Sequence, residues 1–356
     1  MNKRLSNFEL LRIVCMVMII GLHSLGHGGI LENTRVGSLN FFLAHVLESA
    51  SIIAVNCYIL ISGYFGIHST FKIKKLLNLY FQMFFYSLII TGIFIGLRIE
   101  GVSIQALVYL FFPFSSQLWW FMSVFLTLYL CTPFINKFLH TLSKKELSIL
   151  MILFILIFVI WPSVPIFEPI DNKGGYSLYY FIVLYSIGAS VRLFYENGTL
   201  SKKKLAILYL LCSLLLASTN VVLSLLMGRN FGIYSYNFIL IFISSVTFFL
   251  LFKEFRINSH SRFINRLSSL TLGIYLIHDH IYVRRFVYQF FNVQDFGSLN
   301  SFLFLAKFFL FVLSVFVFSA IVESLRQLLF KQFEGIQTNR FVKVSKKIDD
   351  LMGNIK

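Results

Sequence analysis

The sequence predicts an all-α polytopic membrane bundle of about ten transmembrane helices with both termini cytoplasmic, and three observations carry that expectation. Hydrophobic residues make up 58% of the 356-residue chain and charged residues only 13%, against about a quarter in ordinary soluble domains. The apolar residues fall in near-continuous runs of about 20, long enough for a helix to cross a bilayer, and do not alternate as barrel strands do. The net charge of +16 follows topology. Lys3, Arg4, Lys72, Lys74, Lys75, Arg192, Lys202, Lys203, Lys204, Lys253, Arg256 and Lys356 fall on one side of the alternating runs, and few basic residues fall on the other. That positive-inside bias accounts for the charge without nucleic acid and leaves membrane lipids as its partner.

Taken in order, the spans are expected at about 8–27, 41–63, 76–97, 117–138, 146–164, 178–195, 205–227, 236–252, 267–283 and 301–325. A membrane domain of residues 1–327 is then followed by a basic cytoplasmic tail, 328–356. Ile104–Phe112 is apolar but too short to span, which places it at the interface or in a re-entrant loop. The outer loops, among them Trp161–Ser177, are too short to form a second domain. Cys15, Cys57, Cys131 and Cys212 all fall within spans and lack metal or redox spacing, so they read as small buried apolar residues. The spans show no paired Gly/Pro breaks in matching halves, a mark of many transporters.

Polar groups at membrane depth are the functional signal, because lipid excludes them. In span one, Arg12 and His23 are eleven residues apart, three turns plus roughly 20°, which puts both on one face about 16 Å apart along the axis. Glu48 in span two, Trp119 and Trp120 at the start of span four, and His278 with Asp279 near the end of span nine share the outer level of His23. Arg12 shares the inner level with Lys72, Lys74 and Lys75 at the mouth of span three and Arg192 at the end of span six. One end suits anions and the other suits proton transfer.

Each of these residues also has a purely structural reading. Arg12 can snorkel, the lysines can simply set topology, His23 can be a packing residue, and the tryptophans can belong to an interfacial belt. His23 and His27 stand at i, i+4 and offer two metal ligands, but the sequence places no third beside them, so no metal is expected. No HExxH, CxxC or GxSxG motif supports a zinc enzyme or a serine hydrolase.

Six segments in order carry a resemblance: NFELLRIVCMVMIIGLH, VNCYILISGYF, FKIKK, SSQLWWFMSVFLTLYLCTPFIN, LYSIGASVRLF and SSLTLGIYLIHDH. Together they resemble the integral-membrane acyltransferase-3 family over about residues 5–325, with lysines in FKIKK where many members have arginines. The resemblance implies a multi-pass protein of the plasma or inner membrane that moves an acyl group, usually acetyl from acetyl-CoA, to a hydroxyl of a surface polysaccharide or its lipid-linked precursor. It implies a catalytic His23 with Arg12 as an essential partner, and CoA phosphates held by Lys72, Lys74, Lys75 and Arg192. Placement by depth adds Glu48 to orient the imidazole and Trp119, Trp120 and His278 to meet the substrate. A partner polysaccharide-synthesis complex fits the same reading. Two rivals remain at this point, a transporter or flippase for acyl donors or lipid-linked glycans, and a membrane scaffold. An intramembrane histidine and arginine on one face favour the enzyme.

Overall fold

A computed structural model describes residues 5–164, 173–255, 261–331 and 339–353, with side chains in the last stretch from 344 onward. Lys3, Arg4, Arg256, Lys356 and the middle of the 161–177 loop lie outside the described residues. Among the described residues every regular element is helical and none is a strand. Apart from a single helical turn at Ile30–Asn33, the chain opens with α1 (Ser6–Leu25), α2 (Leu39–Gly66), α3 (Ile73–Gly96) and the short α4 (Ile104–Phe111). Next come α5 (Trp120–Thr141), α6 (Lys144–Ser163), α7 (Leu178–Phe194), α8 (Lys202–Met227) and α9 (Ile239–Glu254). The chain closes with α10 (Arg262–Ser268), α11 (Thr271–His278), α12 (Ile281–Phe290), α13 (Ser301–Lys331) and the tail helix α14 (Asn339–Gly353).

Seven of these, α1, α2, α3, α5, α6, α8 and α13, are long and apolar enough to cross a bilayer. The chain is thus an all-α polytopic membrane bundle. The other three expected spans are helical but short: α7 has 17 residues, α9 has 16, and the ninth is split into α10 and α11 of 7 and 8. α8 and α13 turn leucine and phenylalanine outward, with Leu226 79% and Phe302 80% exposed, as a lipid-facing surface requires.

Two of the expected spans are interrupted, and neither break falls at glycine or proline. α2 bends at Ile52–Ile53, where the Ala50 carbonyl accepts a hydrogen bond from the Tyr209 hydroxyl at 2.9 Å. Between α10 and α11 the Ser268 carbonyl accepts from the Thr271 hydroxyl at 2.9 Å and the Ser269 carbonyl from the Gln327 amide at 3.1 Å. Side chains thus satisfy backbone groups that lipid would leave bare. Serine and threonine occur throughout the apolar runs, so these breaks left little trace in the sequence.

The centre of the bundle is set by backbone contact between α2 and α7. A Cβ on Gly63 would lie 2.0 Å from the Tyr185 carbonyl oxygen, and one on Gly188 would lie 2.2 Å from that of Leu60. The two glycines sit on opposite helices and let the axes approach, as small residues do between membrane helices. α1 runs beside α2 and against α10, α11 and α13, which puts its polar face at the heart of the bundle.

Candidate active site

A cavity of about 840 Å³ follows α1 along most of its length. Glu9 and Arg12 line it at one end, His23, Gly26 and His27 at the other, and Met16 and Ile19 between them. The stretch from Glu9 to His27 covers about 27 Å of helix, so one continuous space reaches both ends of the span.

At the far end, α1 ends on Gly26, and the chain turns at Gly29, whose φ of +77° is open to glycine at little cost. One turn after His23, at i+4, the His27 ring lies 5.2 Å from the His23 ring. His23 Nδ1 lies 3.1 Å from His278 Nε2 and 3.3 Å from Asp279 Oδ1. Asp279 Oδ1 also accepts from Arg284 at 3.0 Å. His278 Nδ1 lies 2.7 Å from the Ile274 carbonyl oxygen.

These distances fix the tautomers. A carbonyl oxygen only accepts, so His278 Nδ1 carries the hydrogen and the Nε2 of the neutral ring is a lone pair. His23 Nδ1 must then donate, toward His278 and the carboxylate, which leaves His23 Nε2 as the unprotonated nitrogen. Nε2 has no hydrogen-bond partner among the described residues, and the side chain, 16% exposed, lines the cavity. An imidazole held in this way is arranged to take a proton from a group entering the cavity, with a carboxylate beside the positive charge that results.

At the opposite end, Arg12 donates to Glu9 Oε1 at 2.6 Å, and the second Glu9 oxygen accepts from Ser268. The Tyr58 hydroxyl donates to the Arg12 carbonyl at 2.7 Å, and the guanidinium lies 5.8 Å from the Phe65 ring. Lys75 lines the same end, its Nζ 4.9 Å from the Tyr129 ring. Glu9 offsets part of the charge, and Lys75 leaves this end net positive.

The expected site residues divide accordingly. Arg12, His23, Glu48, Lys75 and Trp120 line one cavity. Lys72 does not: its Nζ is 3.6 Å from Asp349 on α14, and Asp349 also caps the N-terminus of α3 through the Ile73 N–H at 2.8 Å. Lys74 is exposed and outside the lining. Arg192 donates to the Tyr64 hydroxyl at 3.1 Å and sits on its ring, away from the cavity wall. Trp119 is fully buried against His280, while Trp120 faces the cavity. His278, expected to meet substrate, does not line the cavity; its Nε2 faces His23 Nδ1 at 3.1 Å. Glu48, expected to orient His23, makes no hydrogen bond to it; Asp279 occupies that place. Sequence reading placed Asp279 at the right depth but gave it no role, and it missed Arg284, Glu9 and Ser268 because their contacts cross between distant helices.

His23, His27 and Asp279 also bring three potential metal ligands within 4.8 Å of one another, the third being the one the sequence could not place. Arg284 shares the same carboxylate oxygen and supplies positive charge there, which opposes a resident cation.

The architecture is that of a multi-pass membrane protein with a histidine–carboxylate centre in a cavity that follows the span, and such a class includes group-transfer enzymes. The chain matches the family profile described as Acyltransferase domain over residues 5–323, and it belongs to the acyltransferase-3 family. It is therefore a membrane acyltransferase. No curated protein and no solved structure matches it significantly.

Proposed function

We propose that this chain is a plasma- or inner-membrane O-acyltransferase that moves an acyl group, most simply acetyl, from acyl-CoA to a hydroxyl of a cell-surface polysaccharide or its lipid-linked precursor. The observation that carries this reading is the single cavity joining the Arg12–Lys75 end to the bare Nε2 of His23. Donor phosphates stay at the basic cytoplasmic end, and the thioester reaches toward His23. The acceptor hydroxyl enters from the opposite end.

In this mechanism His23 Nε2 takes the hydroxyl proton as the oxygen attacks the thioester carbonyl. The tetrahedral intermediate collapses, the C–S bond breaks, and the imidazolium returns the proton to the departing thiolate. Asp279 stabilises the imidazolium, and His278 holds the ring in the reactive tautomer. The apolar cavity walls limit water that would otherwise hydrolyse the thioester.

The test is the O-acetyl content of the host's surface polysaccharide, by NMR, in a deletion strain complemented with wild type or His23→Ala at matched membrane expression. Wild type restores the O-acetyl signals and His23→Ala does not. Equal restoration by both overturns the mechanism. A change in polymer export with no change in acetylation replaces the enzyme with a transporter.

A further inference from the structure

Three carboxylates line the main cavity: Glu9, Glu48 and Asp279. Glu9 and Asp279 are each held by an arginine. Glu48 is not. It is 7% exposed, Oε2 has no donor, and no hydrogen bond or ion pair reaches it from the described residues. A buried carboxylate oxygen that no protein group satisfies is costly, and lining a cavity it is available to a ligand.

The same cavity carries a cluster of aromatic rings. The Trp120 ring centroid lies 4.4 Å from that of Tyr176 and 5.8 Å from that of Tyr236, and the two tyrosines are 4.8 Å apart. All three line the cavity. Glu48, the three rings, Asp279 and His23 all line this one cavity, so the aromatic surface and the His23 centre share a single space. A path of ring contacts runs from Trp120 through Phe121 and Tyr275 to His23, with successive centroids 6.0, 6.0 and 6.5 Å apart.

We propose that Glu48 with Trp120, Tyr176 and Tyr236 forms the acceptor subsite and that its ligand is a pyranose ring. This rests on the O-acyltransferase reading above and adds where the acceptor is held. A pyranose offers a C–H face that packs on aromatic rings and a rim of hydroxyls that donate to a carboxylate. Trp120 and Tyr236 are the nearest to parallel, at 29°, and offer a stacking face, while Tyr176 is tilted 48° and 51° to them and borders it.

The experiment uses the full chain purified in lipid nanodiscs, with acetyl-CoA as donor and, as acceptor, the host's surface polysaccharide stripped of esters by mild base. Transfer is read as acetyl incorporated and thiol released. Glu48→Gln and Tyr176→Ala each raise the KM for polysaccharide at least tenfold and leave the KM for acetyl-CoA within about twofold. Tyr176 is 45% exposed, so its truncation leaves the buried core intact even where Glu48→Gln impairs folding. An unchanged acceptor KM with a fallen kcat in both variants overturns the subsite while the enzyme reading stands. Inhibition by choline chloride that Tyr176→Ala relieves overturns the pyranose assignment in favour of an ammonium ligand. Wild type that transfers no acetyl overturns the enzyme reading and, with it, this subsite.

Discussion

Asp279→Asn is the sharpest test of the proposed chemistry, because it keeps the shape of the side chain and removes its charge. Asp279 Oδ1 is 3.3 Å from His23 Nδ1. At that distance an imidazolium and a carboxylate attract by about 5 kcal/mol at an effective dielectric of about 20. Arg284 claims the same oxygen at 3.0 Å and draws off part of that stabilisation. Taking half as what His23 receives gives roughly 2.5 kcal/mol, or about seventyfold in kcat. The loss falls on the chemical step, because Asp279 stabilises charge that develops only there, so the KM for acetyl-CoA stays unchanged. Steady-state kinetics of the purified protein, with thermal stability checked in parallel, measures both. An Asp279→Asn variant within about threefold of wild type, beside an inactive His23→Ala, refutes the argument: the imidazole would then carry no full positive charge in the rate-limiting step.

Four further outcomes follow from other contacts. Gly63→Ala or Gly188→Ala drives a methyl group into a carbonyl oxygen of the facing helix and costs about 1–3 kcal/mol or more, seen as a lowered melting temperature in detergent. Lys75→Ala raises the KM for acetyl-CoA about tenfold or more, and Lys74→Ala changes it less than twofold, since only Lys75 faces the cavity. A chelator leaves activity intact, whereas added Zn²⁺ inhibits through His23, His27 and Asp279, and His27→Ala weakens that inhibition. Asp349→Ala removes the cap on α3, at a cost of about 1 kcal/mol, and exposes α14 to limited proteolysis.

The helical bundle was legible because lipid allows few solutions: an apolar run of about 20 residues must be a helix, and basic loops order the spans. Periodicity also placed Arg12 and His23 on one face of α1, and both do line one cavity. What the sequence could not supply was partnership between helices. His23 meets His278 and Asp279 across more than 250 residues, and no spacing rule pairs them. Depth gives the level of Glu48 and His278 but not their direction: Asp279 stands at the His23 ring where Glu48 is expected, and the cavity wall expected to hold His278 is lined by Trp120 without it. The break before α11 was hidden for a similar reason. It is stabilised by Thr271 and by Gln327 from a distant helix, not by the glycine or proline that marks breaks in soluble chains.

On the proposed reading, the order of groups along α1 does more than bind two substrates; it orients one of them. The basic end can hold phosphate, but the wall beyond it carries no further Lys or Arg before the His23 end and includes Met16, Ile19, Val55, Phe121 and Phe125, which offer an anion no partner. A charged head therefore stops near Arg12 and Lys75, and only an uncharged arm continues. From Arg12 to His23 that arm must cover about 16 Å, a length set by eleven residues of helix. A donor with a phosphate head, a thin polar arm of that length and a terminal thioester delivers its carbonyl to Nε2 without further selection. A free acyl phosphate or a short thioester would either remain at the mouth or enter in no fixed orientation. The eleven-residue spacing is thus a ruler for the donor, and the catalytic geometry at His23 depends on the charge held three turns away.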